Sequence, residues 1–420
     1  MPRILFLTES FHPVLGGGEG HIRALGGALV AAGFPATVVT RRNDAAWPEE
    51  ETVDGIRVRR VPPTGPGRRG KYAMVLPALR ALLGEREGFD VLVVRGTRVL
   101  GLPGLLAGRW LGKPVVLQAE INGELSGEVY YWGTPLARRP LRDLVLAGTW
   151  ARNLLLRDAE AFVAMSSLIR DEFVAAGAPS DRVHLLPHGV DTERFRPATH
   201  EERSELRSAL GWSPDSLVLT YTGRLLRGKG LTTLLAAFRT VVHDEPRARL
   251  CLVGSGEGQA LSVEDELRAE SAAEGLRGRV VFTGRVDNVE DHLRASDVFV
   301  FPSEFEALGI SLIEAAACGL PAVGTRTGGI VDVIEPEGSG LLVPPGDAAA
   351  LAGALRRLLG DESLRRRLGA RGRDIACARF DAEQSVARYA TLFMELTRAC
   401  SRARAPRAGE ALPRLPAPPA

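Results

Sequence analysis

Short apolar runs recur along this chain, and helical stretches separate them. Ile4–Thr8, Ala36–Thr40, Ile56–Val61, Val91–Arg95, Val115–Gln118, Ala161–Met165 and Val183–Leu186 form one series. Leu217–Thr222, Arg249–Val253, Val280–Thr283, Val298–Phe301, Ala322–Thr325 and Gly340–Val343 form a second. Strands alternating with helices predict parallel sheets covered by helices, an α/β class. The helices are clearest over His21–Ala32, Pro103–Leu111 and Leu231–Asp244. Two such series in 420 residues predict two Rossmann-like units.

The joint falls near Pro187–Pro197, where Pro and Gly interrupt all periodicity. The expected organisation is a first unit over 1–187, a linker over 188–200 and a second unit over 201–381. A last amphipathic helix over 382–399 and a disordered Pro-, Ala- and Arg-rich tail over 400–420 complete it. Residues 43–72 are rich in charge, Pro and Gly, and predict a mobile surface loop carrying one strand.

Composition excludes several classes. Hydrophobic content is 45% and charged content 25%, as in soluble globular proteins. A formal net charge of +2 implies no nucleic-acid partner. Cys251, Cys318, Cys377 and Cys400 make no metal or redox pattern, and predict buried free thiols in a reducing, cytoplasmic setting. The first apolar run is too short for a signal peptide. No segment reaches the ~18 apolar residues of a membrane span.

Chemistry concentrates in Pro302–Thr325, PSEFEALGISLIEAAACGLPAVGT. Glu306 falls in a loop after a buried strand, and Glu314 in a helix expected to begin near Leu308. Both carboxylates can then face one site at a helix N-terminus, which offers free N–H groups and a positive dipole end. That combination suits a polyhydroxylated ligand bearing phosphate. Two glycine-rich turns follow strands elsewhere. Gly16-Gly17-Gly18-Glu19 follows the first strand and allows close approach of backbone to phosphate. Arg224 and Lys229, in Gly223–Gly230, can neutralise a diphosphate, one as a fork and one as a point charge.

These segments resemble retaining glycosyltransferases of family four, with the two-domain GT-B fold. The carrying motifs are Glu306-x7-Glu314 with its flanks, Gly16-Gly17-x-Glu19, Gly223-Arg224…Lys229-Gly230 and the interdomain Pro187-His188-Gly189-Val190-Asp191. Leu252–Glu257, Val281–Val286, Thr327–Ile330 and Gly338–Asp347 complete the pattern. The resemblance implies two Rossmann-like domains facing each other across a cleft, with the C-terminal helix crossing back to the first. It implies transfer of a sugar from a nucleotide-diphosphate donor, held mainly on the second domain, to an acceptor hydroxyl on the first. Glu314 would hold the ribose, and Glu306 with the N–H groups of Leu308 and Gly309 the donor sugar. Gly16 and Gly17 would lie by the diphosphate, which Arg224 and Lys229 stabilise as it leaves. No cofactor or metal is implied. Retention would proceed by attack on the face of departure. A phosphorylase, an epimerase or a catalytically silent nucleotide-sugar-binding subunit are the alternatives.

One departure bears on catalysis. Family members often place a cleft histidine where this chain has Glu120, and Asn122 and Glu124 stand nearby as other acceptor-side candidates. His12 and His188 are further cleft candidates, read as structural. Finally, Pro135–Asp158 interleaves leucines and Trp150 with arginines. It reads either as a helix buried against the first sheet or as a basic face for an anionic membrane, at the inner surface.

Overall fold

The computed structural model describes residues 1–14, 16–65, 69–127, 140–259, 261–272 and 275–404. Each apolar run forms a strand. The first sheet contains β1 (Ile4–Leu7), β2 (Ala36–Arg41), β3 (Glu50–Val53), β4 (Ile56–Val61), β5 (Val91–Arg95), β6 (Val115–Gln118), β7 (Ala161–Ala164) and β8 (Val183–Leu185). Their order is β3-β4-β2-β1-β5-β6-β7-β8. The second contains β9 (Leu217–Thr222), β10 (Ala248–Val253), β11 (Val280–Gly284), β12 (Val298–Phe301), β13 (Ala322–Thr325) and β14 (Gly340–Val343), ordered β11-β10-β9-β12-β13-β14. Pairing is parallel throughout, except between β3 and β4. The central strands are buried on both faces, which explains their unbroken apolar runs.

The topology locates the site. In the first sheet the strand order reverses between β1 and β5, and in the second between β9 and β12. The crevice beyond the carboxyl ends of such strands is where open α/β sheets bind ligands. The turns after β1, β5, β9 and β12 hold Gly16–Gly18, Gly96, Arg224–Lys229 and Glu306.

Two expectations need correction. Residues 43–72 carry two strands and a short helix, Gly70–Ala73, where one strand in a loop was expected. β3 escaped notice because its sequence, Glu50-Glu51-Thr52-Val53, is that of a solvated antiparallel edge strand. The last helix runs Ala382–Arg404, past its expected end and into the expected tail. Residues 405–420 lie outside the described residues.

That helix packs on the first sheet, where Tyr389, Leu392 and Phe393 join Phe6, Ile22 and Leu29 in one core. The chain passes between the two halves twice, and the passages touch. Val190 N–H donates to Phe380 O at 2.7 Å, and Ala382 N–H donates to Val190 O at 3.0 Å. A Cβ on Gly189 would stand 2.6 Å from Ala382 Cα, so only glycine permits this approach.

Candidate active site

Between the sheets lies a cleft of about 2490 Å³, part of it open to solvent. It is built from strand ends and from turns that need glycine. Gly230 has φ 67°, and a Cβ there would meet Pro302 O at 1.9 Å. The turn after β9 thereby lies directly against the turn after β12. Gly328 has φ 51°, and a Cβ there would meet Glu306 O at 1.7 Å. That same carbonyl accepts from Gly329 N–H at 3.1 Å and from the Asn122 amide, across the cleft, at 3.0 Å. The Glu306 loop is therefore pinned from both halves.

The cleft gathers Gly16, Gly17, Glu120, Arg224, Lys229, Glu306, Leu308, Gly309 and Glu314. Lys229 Nζ donates to Glu306 Oε2 at 2.8 Å. Arg224 and Arg227 are both exposed and both line the cleft. The helix carrying Glu314 begins at Ile310, two residues later than expected near Leu308; Gly309 caps it at φ 94°. A Cβ on Gly17 would contact Ile310 at 3.3 Å, so the glycine turn after β1 meets this helix start. Val253, Gly254, Ser255, Arg285 and Val286 also line it.

Electrostatics separate the two carboxylates of the Glu-x7-Glu pair. Burial pushes the Glu314 carboxyl up to about 7; Arg194 opposes the rise and Glu290 adds to it. Arg194 itself is paired with Glu290 at 2.8 Å. Glu306 has the Lys229 ammonium as its counter-ion instead.

On the first half, Glu120 lines the cleft. Burial pushes its carboxyl up to about 7 against the lowering effect of Arg95, with Glu124, Glu19 and Glu9 adding to the rise. Of its alternatives, Asn122 also lines the cleft and donates to Glu306 O, and Glu124 is occupied. Glu124 accepts from Thr97 N–H at 2.8 Å, the Thr97 hydroxyl at 2.7 Å and Glu120 N–H at 3.1 Å. Glu172 accepts from the N–H groups of Gly123, Leu125 and Ser126, fixing the loop behind Glu120. His12 lies 3.4 Å from Arg23 and not among the residues lining the cleft. His188 does line the cleft, stacked on His21 with ring centroids 3.5 Å apart.

Sequence reasoning missed Arg95, which is 1% exposed and lines the cleft. A charged residue closing the buried run Val91–Val94 was the available signal. It also treated the cysteines alike, whereas Cys251 and Cys318 are buried and Cys377 and Cys400 are partly exposed. Among the described residues, no helix is long and apolar enough to cross a membrane.

Comparison with known proteins agrees with this geometry. Residues 15–194 match the family described as Glycosyltransferase Family 4, and residues 202–375 match Glycosyl transferases group 1. A GDP-mannose-dependent alpha-mannosyltransferase of Mycobacterium tuberculosis is 32% identical, over 82% of this chain and 84% of its own length. A D-inositol 3-phosphate glycosyltransferase of Streptomyces bingchenggensis is 30% identical, over 93% of this chain and 87% of its own. The solved sucrose-phosphate synthase of Thermosynechococcus elongatus superposes with a TM-score of 0.78 at 26% identity, covering 95% of this chain and 100% of that one. A cleft between two facing Rossmann-like sheets, matched across both halves by these enzymes, makes the chain a GT-B glycosyltransferase of family 4, which transfers a sugar from a nucleotide-sugar donor.

Proposed function

We propose that this enzyme transfers its sugar with retention, and that residues 201–381 hold the donor while residues 1–187 hold the acceptor. The observation that carries the proposal is the convergence of Arg224, Lys229, Glu306 and Glu314 on one wall of the cleft, opposite the Gly16–Gly18 turn. Glu314 accepts from the ribose hydroxyls. Glu306, with the N–H groups of Leu308 and Gly309, holds the donor sugar. Arg224 and Lys229 take up the charge that develops on the diphosphate as the anomeric C–O bond breaks. The acceptor oxygen bonds to the same face of that carbon, and its proton passes to a departing phosphate oxygen. Glu120 orients the acceptor hydroxyl by accepting from it, a role a carboxylate can fill without donating.

Because Lys229 and Glu306 bond each other, the donor is held by sharing that pair. Sugar hydroxyls then join the carboxylate while the diphosphate joins the ammonium. Calorimetric titration with UDP, GDP and ADP, repeated on Arg224→Ala and Lys229→Ala, tests the assignment. One nucleotide should bind the wild type and bind both variants more weakly; unchanged binding in both removes the diphosphate role.

A specific patch favours contact with an anionic membrane. Leu141–Leu156 packs beside Leu102–Leu111, and the pair leaves Leu106, Trp110, Leu144 and Trp150 exposed, the tryptophans at 75% and 66%. The same helices carry Arg109 and Arg142, each paired with an aspartate, Asp158 at 3.0 Å and Asp143 at 3.5 Å, whereas Arg138 and Arg139 fall outside the described residues. Apolar anchors among cations suit an interfacial site. Wild type should sediment with vesicles containing anionic lipid, and Trp110→Ser/Trp150→Ser should not; equal sedimentation of the two would refute the contact.

A further inference from the structure

A second contact joins the two halves, away from the residues that line the cleft. The helix Ser167–Ala175 follows β7 in the first half, and its N-cap is Ser166. The first four N–H groups of a helix have no partner within it, and that end carries the positive pole of the dipole. The Ser166 hydroxyl accepts from Ile169 N–H at 3.5 Å. Ser167, the first helical residue, turns to the other half instead. Its N–H donates to Asp332 Oδ2 at 2.6 Å, and its hydroxyl donates to Asp332 Oδ1 at 2.5 Å. One carboxylate of the second half thus caps a helix of the first, with both oxygens used. Hydrogen bonds to an ionised partner are the strong kind, and this pair is partly buried.

Asp332 stands in the short helix Ile330–Val333, directly after the turn that backs the Glu306 loop. In that turn the Thr327 hydroxyl donates to Glu304 O at 3.2 Å, and Gly329 N–H donates to Glu306 O at 3.1 Å. A Cβ on Gly329 would stand 2.5 Å from Leu308 Cα, so the turn presses on the loop along its length. Asp332 N–H donates back to Gly329 O at 3.1 Å, which makes turn and carboxylate one unit. From the first half, the Asn122 amide reaches the same Glu306 carbonyl at 3.0 Å. The first half therefore supports the loop twice, directly through Asn122 and through the turn by way of Ser167.

We infer that Ser167 and Asp332 are a positioning pair, which sets the Glu306 loop in place when the first half meets the second. The inference rests on the reading that this loop holds the donor sugar. It goes beyond that reading by making the loop's geometry depend on a residue of the other half. Ser167 and Asp332 are not among the residues that line the cleft, so the pair acts through the loop and not on substrate. With the halves apart, the Asp332 carboxylate and the Ser167 N–H both return to water, and the turn loses its outer support. The sugar-holding geometry is then complete only when the first half is docked, whereas the nucleotide, held along the second half, does not depend on the pair.

Hydrogen exchange on the full chain tests this coupling from the far side. Ser167→Pro removes both donors yet suits its place. Proline is favoured at the first helical position, and Ser166 before it is extended, with φ −142° and ψ 163°, as a residue preceding proline prefers. Amides over 303–313 and 326–333, all in the other half, should exchange about tenfold faster than in the wild type, as the loss of hydrogen bonds to a charged group implies. Asp332→Asn keeps the shape but loses the charge and one acceptor. It should move the same peptides in the same direction, and it decides the matter should the proline variant not fold. Ser167→Thr keeps both donors and should behave as wild type. Wild-type exchange of these peptides in Ser167→Pro, or in Asp332→Asn where that variant decides, overturns the inference. Kinetics give a second readout. With a donor and acceptor that the wild type turns over, both variants should lower kcat at saturating donor about tenfold, the cost of a misplaced loop. Calorimetric binding of UDP, GDP or ADP, whichever the wild type binds, should stay unchanged. Nucleotide binding weakened in proportion to the lost turnover would show general damage to the second half and contradict the pair's role. If none of the three nucleotides binds the wild type, the donor reading fails instead, and the exchange comparison still decides the coupling.

Discussion

At the scale of single residues, charge placement governs the expected behaviour of the cleft. Arg224 is exposed and Lys229 partly so, and neither holds a core together. Their alanine variants should therefore lose turnover by about 100-fold while Tm moves little, since one lost charge-stabilising contact costs about 3 kcal/mol of barrier. Steady-state kinetics with thermal melts checks this; near-normal turnover in both would dismiss the diphosphate role. Glu314 and Glu306 should part kinetically. Glu314→Gln should raise the donor constant, because the ribose does not react and its contact is alike in ground and transition states. Glu306→Gln should lower turnover at saturating donor. Identical kinetics for the two variants would contradict the positional assignment. Much of this was legible in the sequence, since Glu306, Glu314, Arg224 and Lys229 stand in motifs beside strand ends. The Lys229–Glu306 bond and the Arg95–Gly18 bond were not, because both depend on distant segments meeting.

At the scale of elements, glycine decides whether the turns after β9, β12 and β13 can meet. Gly230→Ala would thrust a methyl group into Pro302 O, and Gly328→Ala into Glu306 O, each at a positive φ. Each should lower Tm by several degrees and disorder the Glu306 loop, through steric conflict and backbone strain. Gly353→Ala is the control: it lies in the helix Ala348–Gly360 with nothing within 4 Å of a new Cβ, and should be neutral or slightly stabilising. Differential calorimetry on the three variants decides it, and a Gly230→Ala protein as stable as wild type would refute the packing described. The strands were readable because burial on both faces leaves an unbroken apolar signal. β3 was not, because an exposed edge strand carries charge where a core strand carries valine. The start of the Glu314 helix was misplaced because a left-handed Gly309 ends the loop at a point that composition does not mark.

At the scale of the whole molecule, buried titrating groups set opposing pH limits on stability. Burial, followed by Arg95, lowers the His188 pKa; burial, His188 and Arg95 do the same for His21. The unfolded chain therefore takes up protons that the folded pair refuses. Stability contributed by the pair is complete above the ordinary histidine value of about 6.5 and falls as pH drops below it. Glu120 and Glu314 act in the other direction. Their folded values near 7 exceed the ordinary 4.5, so stability of the unliganded enzyme falls as pH rises from 4.5 through 7. Melting curves from pH 5 to 8 should show His188→Asn flattening the acid limb and Glu314→Gln the alkaline limb; parallel curves for wild type and variants would show that these groups do not carry the effect. Transfer itself should survive EDTA if, as proposed, Arg224 and Lys229 meet the diphosphate; activity lost in chelator and restored by magnesium or manganese would transfer that role to a metal. The paired passages at Val190 and Ala382 have a mechanical consequence. Two chain passages joined at one bridge, with Gly189 pressed against Ala382, resist sliding and twisting far better than one free tether. The halves are thus left with little more than a single swing, like a door on two adjacent pins. A donor held on one half and an acceptor on the other, as proposed, would then meet in the same alignment at every closure.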